Sequence, residues 1–380
     1  MIKNPVFVIA PDSFKGSMTA KEVCDAIEKG IKKVLPEAEC IKTPMADGGE
    51  GTMQSLVDAT GGTIYRTKVL DPLGRTITAE YGISGDEQTA FIEMASASGL
   101  YLLKEEERNP LITTTYGTGQ LVKAVLDKNI KKIILGIGGS ATNDGGAGFA
   151  QALGVKLLDE KGENLPFGGA ALAKLHQVDI SGIDVRLNDV EIETACDVTN
   201  PLCGKKGASA VFGPQKGASP DMINTLDNTL NHYSNTIENQ LKRSIRDIPG
   251  AGAAGGLGAG LLAFTNAQLK PGIDIIIKYT GLKEIIKKAD YVFIGEGGID
   301  FQTQYGKTPF GVAQLAKAEN KKVIAISGYL GKDIDILYNK GFDAIFGILP
   351  SAMNMDEALR TGKENVERTV ENIIRLLKLV

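Results

Sequence analysis

Glycine-bearing turns that each deliver an acid, a hydroxyl or a lysine punctuate this 380-residue chain. Ala10-Pro-Asp-Ser-Phe-Lys-Gly-Ser17 carries Asp12, Ser13 and Lys15, and Ala46-Asp-Gly-Gly-Glu-Gly-Thr52 carries Asp47 and Glu50. Gly295-Glu-Gly-Gly-Ile-Asp300 carries Glu296 and Asp300, with Lys307 downstream, and Ser327 ends a later apolar run. Carboxylates hold a hard cation, lysines offset phosphate charge, and glycines let backbone N–H groups come close. The set therefore reads as a magnesium-phosphate site. Asp and Gly also make ordinary turns, so the convergence of several such loops carries this reading.

A further glycine loop lies mid-chain: Lys132-Ile-Ile-Leu-Gly-Ile-Gly-Gly-Ser-Ala-Thr-Asn-Asp-Gly-Gly-Ala-Gly148. Residues 136–141 match Gly-x-Gly-x-x-Ala, with Asp159 downstream, a formal dinucleotide fingerprint. The glycines that follow make a poor helix start for a pyrophosphate, and Asp144 would repel a bare one but tolerate one carrying magnesium. A second match over 250–255 follows a proline, not a strand. Gly306-Lys-Thr308 lacks the glycine that a phosphate-binding P-loop needs at 301, where Phe301 stands. Asp197 follows another apolar run, and Lys216 sits in the turn Phe212-Gly-Pro-Gln-Lys-Gly217.

Composition narrows the chemistry. The only histidines are His176 and His232, so a three-histidine zinc site is excluded. General-base work falls to carboxylates, which suits phosphoryl transfer, where catalysis is mostly positioning and electrostatics. Cys24, Cys40, Cys196 and Cys203 include no Cys-x-x-Cys pair and fit a reduced cytoplasmic protein. A net charge of -4 without basic blocks argues against nucleic acid. No apolar run approaches the ~18 residues of a membrane span, and no secretion signal opens the chain.

The elements that must position these residues alternate. Apolar strands are expected at 6–10, 38–45, 291–294, 323–326 and 344–349. Amphipathic helices lie between them, the first capped by Thr19 and Glu22. The last helix is expected to carry Leu359, Val366, Val370, Ile373 and Leu377 on one face. Such strands form a parallel sheet covered on both sides. The expected fold class is α/β with two domains. One five-stranded, doubly wound parallel sheet (order 2-1-3-4-5) is built from both chain ends, 1–67 and 284–380, and a mixed α/β domain, 68–283, is inserted. Within the insert, 64–70, 77–83 and 89–94 resemble antiparallel strands. Ligands of an open parallel sheet sit beyond the carboxyl ends of its strands, where Asp12, Lys15, Glu296 and Asp300 would meet.

Taken together, these segments resemble the bacterial glycerate kinases of the first type, as do Thr115-Tyr-Gly-Thr-Gly119, Ala195-Cys-Asp-Val-Thr-Asn-Pro201 and Gly250-Ala-Gly-Ala-Ala-Gly-Gly-Leu-Gly-Ala-Gly260. The resemblance runs from about residue 3 to 378. It implies two α/β domains, one of flavodoxin-like topology, and phosphorylation of D-glycerate by ATP and Mg2+. One motif departs: where the family usually has Arg, Gly and His, this chain has Gly298, Phe301 and Tyr305. Lys15 or Lys307 would then cover the lost cation.

The resulting expectation is an ATP-dependent kinase that works in a cleft between the domains and yields phosphoglycerate, the 2-phospho isomer preferred. Asp197 is the expected base, with Asp47 and Asp300 as alternatives, and Lys15 and Lys307 steady the transferred group. Asp12, Ser13, Asp47, Thr118 and Asp300 are assigned to substrate. Gly138, Gly139, Ser140, Asn143, Asp144, Lys216 and Glu296 are assigned to nucleotide, and Asp144 and Asp300 to the metal. The alternatives are an NAD-dependent oxidoreductase of a small hydroxy acid and a non-catalytic sensor. The sequence leaves homo-oligomerisation open.

Overall fold

The computed structural model describes residues 5–46 and 48–379. Asp47 lies outside the described residues, so its assignment to substrate has no structural counterpart here. Along the chain the strands are β1 (Val6–Ile9), β2 (Glu39–Lys42), β3 (Thr63–Leu70), β4 (Thr76–Ile83), β5 (Thr89–Glu93), β6 (Lys132–Gly136), β7 (Lys156–Leu158), β8 (Gln177–Asp179), β9 (Glu191–Ala195), β10 (Gln268–Lys270), β11 (Tyr291–Ile299), β12 (Lys322–Leu330) and β13 (Ala344–Gly347). The chain divides into two compact units, Met1–Asp47 with Asp58–Thr60 and Ile273–Val380, and Gly48–Val57 with Gly61–Gly272. These limits fall earlier than the expected breaks after 67 and 283. Two contacts explain the difference. β3 pairs along its whole length with β4, which keeps 63–70 in the second sheet. Ile273 packs where a Gly311 side chain would stand, which keeps the helix after Gly272 with the first unit.

The first unit holds a sheet in the order β2-β1-β11-β12-β13, all neighbours parallel. Its inner strands β1, β11 and β12 carry buried apolar runs, as strands of a covered parallel sheet do, while the edge strand β2 is partly exposed. Phe7, Ile9, Val23, Ile27, Phe293, Ile326, Val366 and Val370 share one core. Helix Ala20–Val34 begins with the expected capping box, Thr19 accepting from Glu22 N and Glu22 returning to Thr19 N. The expected last helix is two pieces, Met355–Arg360 and Gly362–Leu377, so Leu359 does not share the long helix. The break has a local cause: Ser17 Oγ donates to Leu359 O at 2.6 Å, and a side chain at Gly362 would collide with that hydroxyl.

The second unit holds a mixed sheet in the order β10-β9-β6-β5-β4-β3. β5, β6, β9 and β10 are parallel, while β3, β4 and β5 form the expected antiparallel run. Ile92, Ile133, Leu135, Phe149, Ile192 and Leu257 lie in its core. The carboxyl ends of the four parallel strands open on one edge, where glycine loops and polar residues gather. Among the described residues no helix is long and apolar enough to cross a membrane.

Helices Ala20–Val34 and Gly362–Leu377 approach closely at Gly30, where a Cβ would stand 2.7 Å from Glu367 O and 2.9 Å from Val370 Cβ. Gly30→Val is expected to cost about 1–3 kcal/mol through overpacking, read as a lower urea midpoint with an unchanged m-value.

Candidate active site

In the first unit, the loops after β1 and β11 lie side by side. Asp12 N donates to Gly295 O at 2.8 Å, and the Gly297 Cβ direction points at Lys15 N, 3.6 Å away. Asp12 is buried and accepts from Ser13 N at 2.6 Å; Lys15 is exposed. Glu296 and Lys307 hold each other, Nζ lying 3.2 Å from both carboxylate oxygens and 3.4 Å from Gly298 O. The Thr303 hydroxyl donates to Glu296 Oε1 at 3.0 Å. Asp300 uses Oδ1 to cap the turn Phe301–Gln304, accepting from Gln302 N at 2.8 Å. The first unit thus brings Asp12, Ser13, Lys15, Glu296, Asp300 and Lys307 to the carboxyl ends of adjoining strands. Part of the Lys307 charge is met by Glu296.

The departure at Gly298 has a physical counterpart. β11 and β12 stay paired through Gly298↔Tyr329 and Ile299↔Leu330. The Tyr329 ring covers the glycine, with Cζ and Cδ1 2.9 and 3.0 Å from where a Cβ would stand. No larger side chain fits unless that ring moves.

In the second unit, two glycine segments are pressed together. Cβ atoms at Gly136 and Gly138 would collide with Gly48 O and stand 3.0 Å from Gly49 Cα, respectively. The 48–53 segment therefore crosses the end of β6. Gly138 and Gly139 are exposed at the tip of the following turn, Gly139 in the left-handed region at φ 75°. β6 and β9 pair at Gly136↔Ala195. Gly138 and Asp197 thus each stand two residues beyond one register position. Asp197 is exposed and takes Gly272 N on Oδ1 at 2.7 Å.

Behind the exposed tip, the chain turns inward and the sequence-based roles change. Asp144 is wholly buried. Its Oδ2 accepts from Thr115 N at 2.8 Å, Thr115 Oγ1 at 2.9 Å and Gly148 N at 3.2 Å, and its Oδ1 from Gly146 N at 3.1 Å. Burial pushes its acid constant up against the pull of those donors. With four protein donors and no exposure, Asp144 does not fit the metal and nucleotide roles expected of it; it anchors the loop. Asn143 is also fully buried, its Nδ2 donating to Ser209 Oγ at 3.0 Å. Thr118 is buried against Ser98, hydroxyl to hydroxyl at 2.8 Å. Lys216 is 1% exposed and reaches Ser140 Oγ and Thr142 O, each at 2.7 Å, so it stands beneath the turn.

The dinucleotide fingerprint dissolves. The next helix, Ala147–Ala152, starts well past the glycines and is six residues long. Asp159 closes an exposed turn, accepting from Lys161 N and Glu163 N. A Cβ at Gly250 would stand 3.0 Å from Cys196 Sγ, and Gly255 and Gly256 take left-handed φ values within a helix kink.

Sequence reasoning missed Glu93. It ends β5 in register with Gly136 and accepts from Met53 N at 2.8 Å. Backbone N–H groups of Gly51 and Thr52 also reach it. Burial raises its acid constant to about 7, with the nearby Glu50 adding to the rise. A lone acidic residue closing the apolar strand Thr89–Glu93 was the available signal.

The chain is similar to known proteins over nearly its whole length. Residues 7–378 match the model of the glycerate kinase family. A glycerate kinase of Haemophilus influenzae is 53% identical over 98% of this chain and 98% of its own length. A glycerate 2-kinase of Escherichia coli is 51% identical, again over 98% of both chains. A crystal structure from Salmonella typhimurium LT2, assigned to glycerate kinase 2, is 49% identical and superposes with a TM-score of 0.90 over 99% of both chains.

Two outcomes follow from these contacts. Between the ordinary value of 4.5 and about 7, folded Glu93 keeps a proton that the unfolded chain has released. Its contribution therefore falls as pH rises through that window. Glu93→Gln keeps an acceptor for Met53 N without that loss. Urea titrations at pH 5 and pH 8 are expected to show the variant gaining on wild type by on the order of 2 kcal/mol. Separately, Gly298→Arg is expected to lower the melting temperature, and Tyr329→Ser in the same chain to restore much of the loss.

Proposed function

The chain belongs to the glycerate kinase family, and from that premise we propose that it transfers the terminal phosphoryl group of magnesium-ATP to the 2-hydroxyl of D-glycerate. The observation that carries the reading is the shared level of Asp197 and the exposed Gly138–Gly139 tip on adjoining strands of the second unit. Backbone N–H groups of a glycine turn suit phosphate oxygens. An exposed carboxylate beside them suits proton abstraction from an alcohol. The hydroxyl proton passes to Asp197 as the new O–P bond forms and the bond to ADP breaks. The E. coli relative's description as a glycerate 2-kinase supports the 2-phospho product.

Magnesium enters with the nucleotide as part of the substrate. Such an ion keeps several waters and phosphate oxygens and needs only one or two protein carboxylates. Asp300 is the carboxylate proposed for the ion in the first unit. Lys15, exposed, and Lys307, shared with Glu296, are the cations proposed for anionic groups there. The sheet order of the first unit supports a flavodoxin-like reading. Four free thiols fit the cytoplasm, the compartment proposed here.

A coupled assay of ADP release with D-glycerate, run beside other hydroxy acids, tests the activity, and phosphorus NMR of the product tests the position. Asp197→Asn is expected to lower kcat by about 10²–10⁴ with an unchanged melting temperature. Near-normal turnover in that variant would remove Asp197 from the base role.

A further inference from the structure

The mechanism above gives no role to the buried Lys216. Lys216 comes from the short turn Pro214–Lys216, fixed by Gly217 at φ 90°, where a side chain would collide with Arg108 O. Its ammonium lies under the Gly138–Asp144 turn and has two partners, Ser140 Oγ and Thr142 O. Among the described residues no carboxylate lies within ion-pair distance of it. Asp144 on the same turn is the ionisable group that acts on it; Tyr233 from helix Pro220–Leu241 packs against Gly145, and the Arg108 main chain lies against Gly217. Asp144 has both oxygens engaged by other donors. An isolated buried cation is costly, so its retention beneath a phosphate-type turn calls for a role.

We propose that Lys216 is a positioning residue: it fixes the Ser140 hydroxyl as a donor to nucleotide phosphate, and nucleotide binding is accompanied by proton uptake at Lys216. This rests on the kinase reading, with the phosphates on this turn. An ammonium has donors and no acceptor. When Lys216 is charged, Ser140 Oγ accepts from it, and the Ser140 hydrogen is left to point at the ligand. A neutral amine can instead accept that hydrogen and withdraw it from the ligand. Burial lowers the acid constant of Lys216 to about 7, with Asp144 pulling the other way. Above that pH the empty site holds a largely neutral amine. An arriving phosphate anion favours the ammonium and draws a proton from the buffer.

Isothermal titration of the full chain with magnesium-ATP at pH 8, in HEPES and in Tris, reads the number of protons taken up. The expected result is uptake approaching one proton for wild type, much less at pH 6, and none for Lys216→Arg, which stays charged. Ser140→Ala is expected to weaken nucleotide binding about 10-fold or more, the loss of a hydrogen bond to a charged group. In a Lys216→Met background the same change should add little. The wild-type measurement needs no variant to fold. Nucleotide binding without uptake at pH 8 overturns this proposal and leaves the kinase reading standing. Absence of nucleotide binding overturns both. Uptake on adding glycerate alone, and not with nucleotide, overturns it by placing a carboxylate on the turn.

Discussion

The buried carboxylate of Asp144 is the fixed point of the second unit. A turn that exposes backbone N–H groups at Gly138 and Gly139 needs its following residues held in a glycine-rich path with left-handed φ values at Gly139, Gly145 and Gly146. That path is entropically expensive. Four donors converging on one carboxylate offset the cost, and three of them are backbone N–H groups from Thr115, Gly146 and Gly148. Thr115 also takes Phe149 N on its hydroxyl at 2.9 Å, so the Thr115-Tyr-Gly-Thr-Gly119 segment and the glycine loop are one structure. Removal of the carboxylate would leave buried donors without a partner, which is the costly side of hydrogen bonding.

Glycine density serves a second purpose: close approach of backbones. Gly136 faces Gly48 O, Gly119 faces Phe149 O, Gly146 lies against Gly260, and Gly258 lies against Gly250 O. At each of these contacts a methyl would meet main chain, which cannot give way as a side chain can. At these positions the glycine is required because backbone packs on backbone. Glu93 works in the same place. It holds the start of helix Thr52–Thr60 and so keeps the 48–53 segment at the end of β6.

The first unit solves a different problem, that of presenting cations and acids without burying them unpaired. β11 and β12 continue past the point where β1 and β13 stop, so Glu296, Gly298 and Ile299 are carried on paired strands. Lys307 bridges Glu296 and Gly298 O from the start of the next helix, and Asp300 caps the turn between. With Gly298 under the Tyr329 ring, an aromatic face occupies the space where the family pattern places a longer cation.

The sequence by itself determined the alternation of strands and helices at both chain ends, the capping box at Thr19, the antiparallel run read at 64–94 and the family. Those are properties of local periodicity, turn chemistry and motif spacing, which act over a few residues. It could not separate a carboxylate that meets a ligand from one that holds the loop. Asp144 and Asp197 look alike in sequence, each an acid after an apolar strand, yet one is buried with four donors and the other exposed. Thr118, Asn143 and Lys216 are buried for the same reason, and Glu93 is tied to the 48–53 segment because Met53, forty residues earlier, folds back onto it. Burial and desolvation are sums over neighbours distant in sequence, so only the tertiary structure decides them.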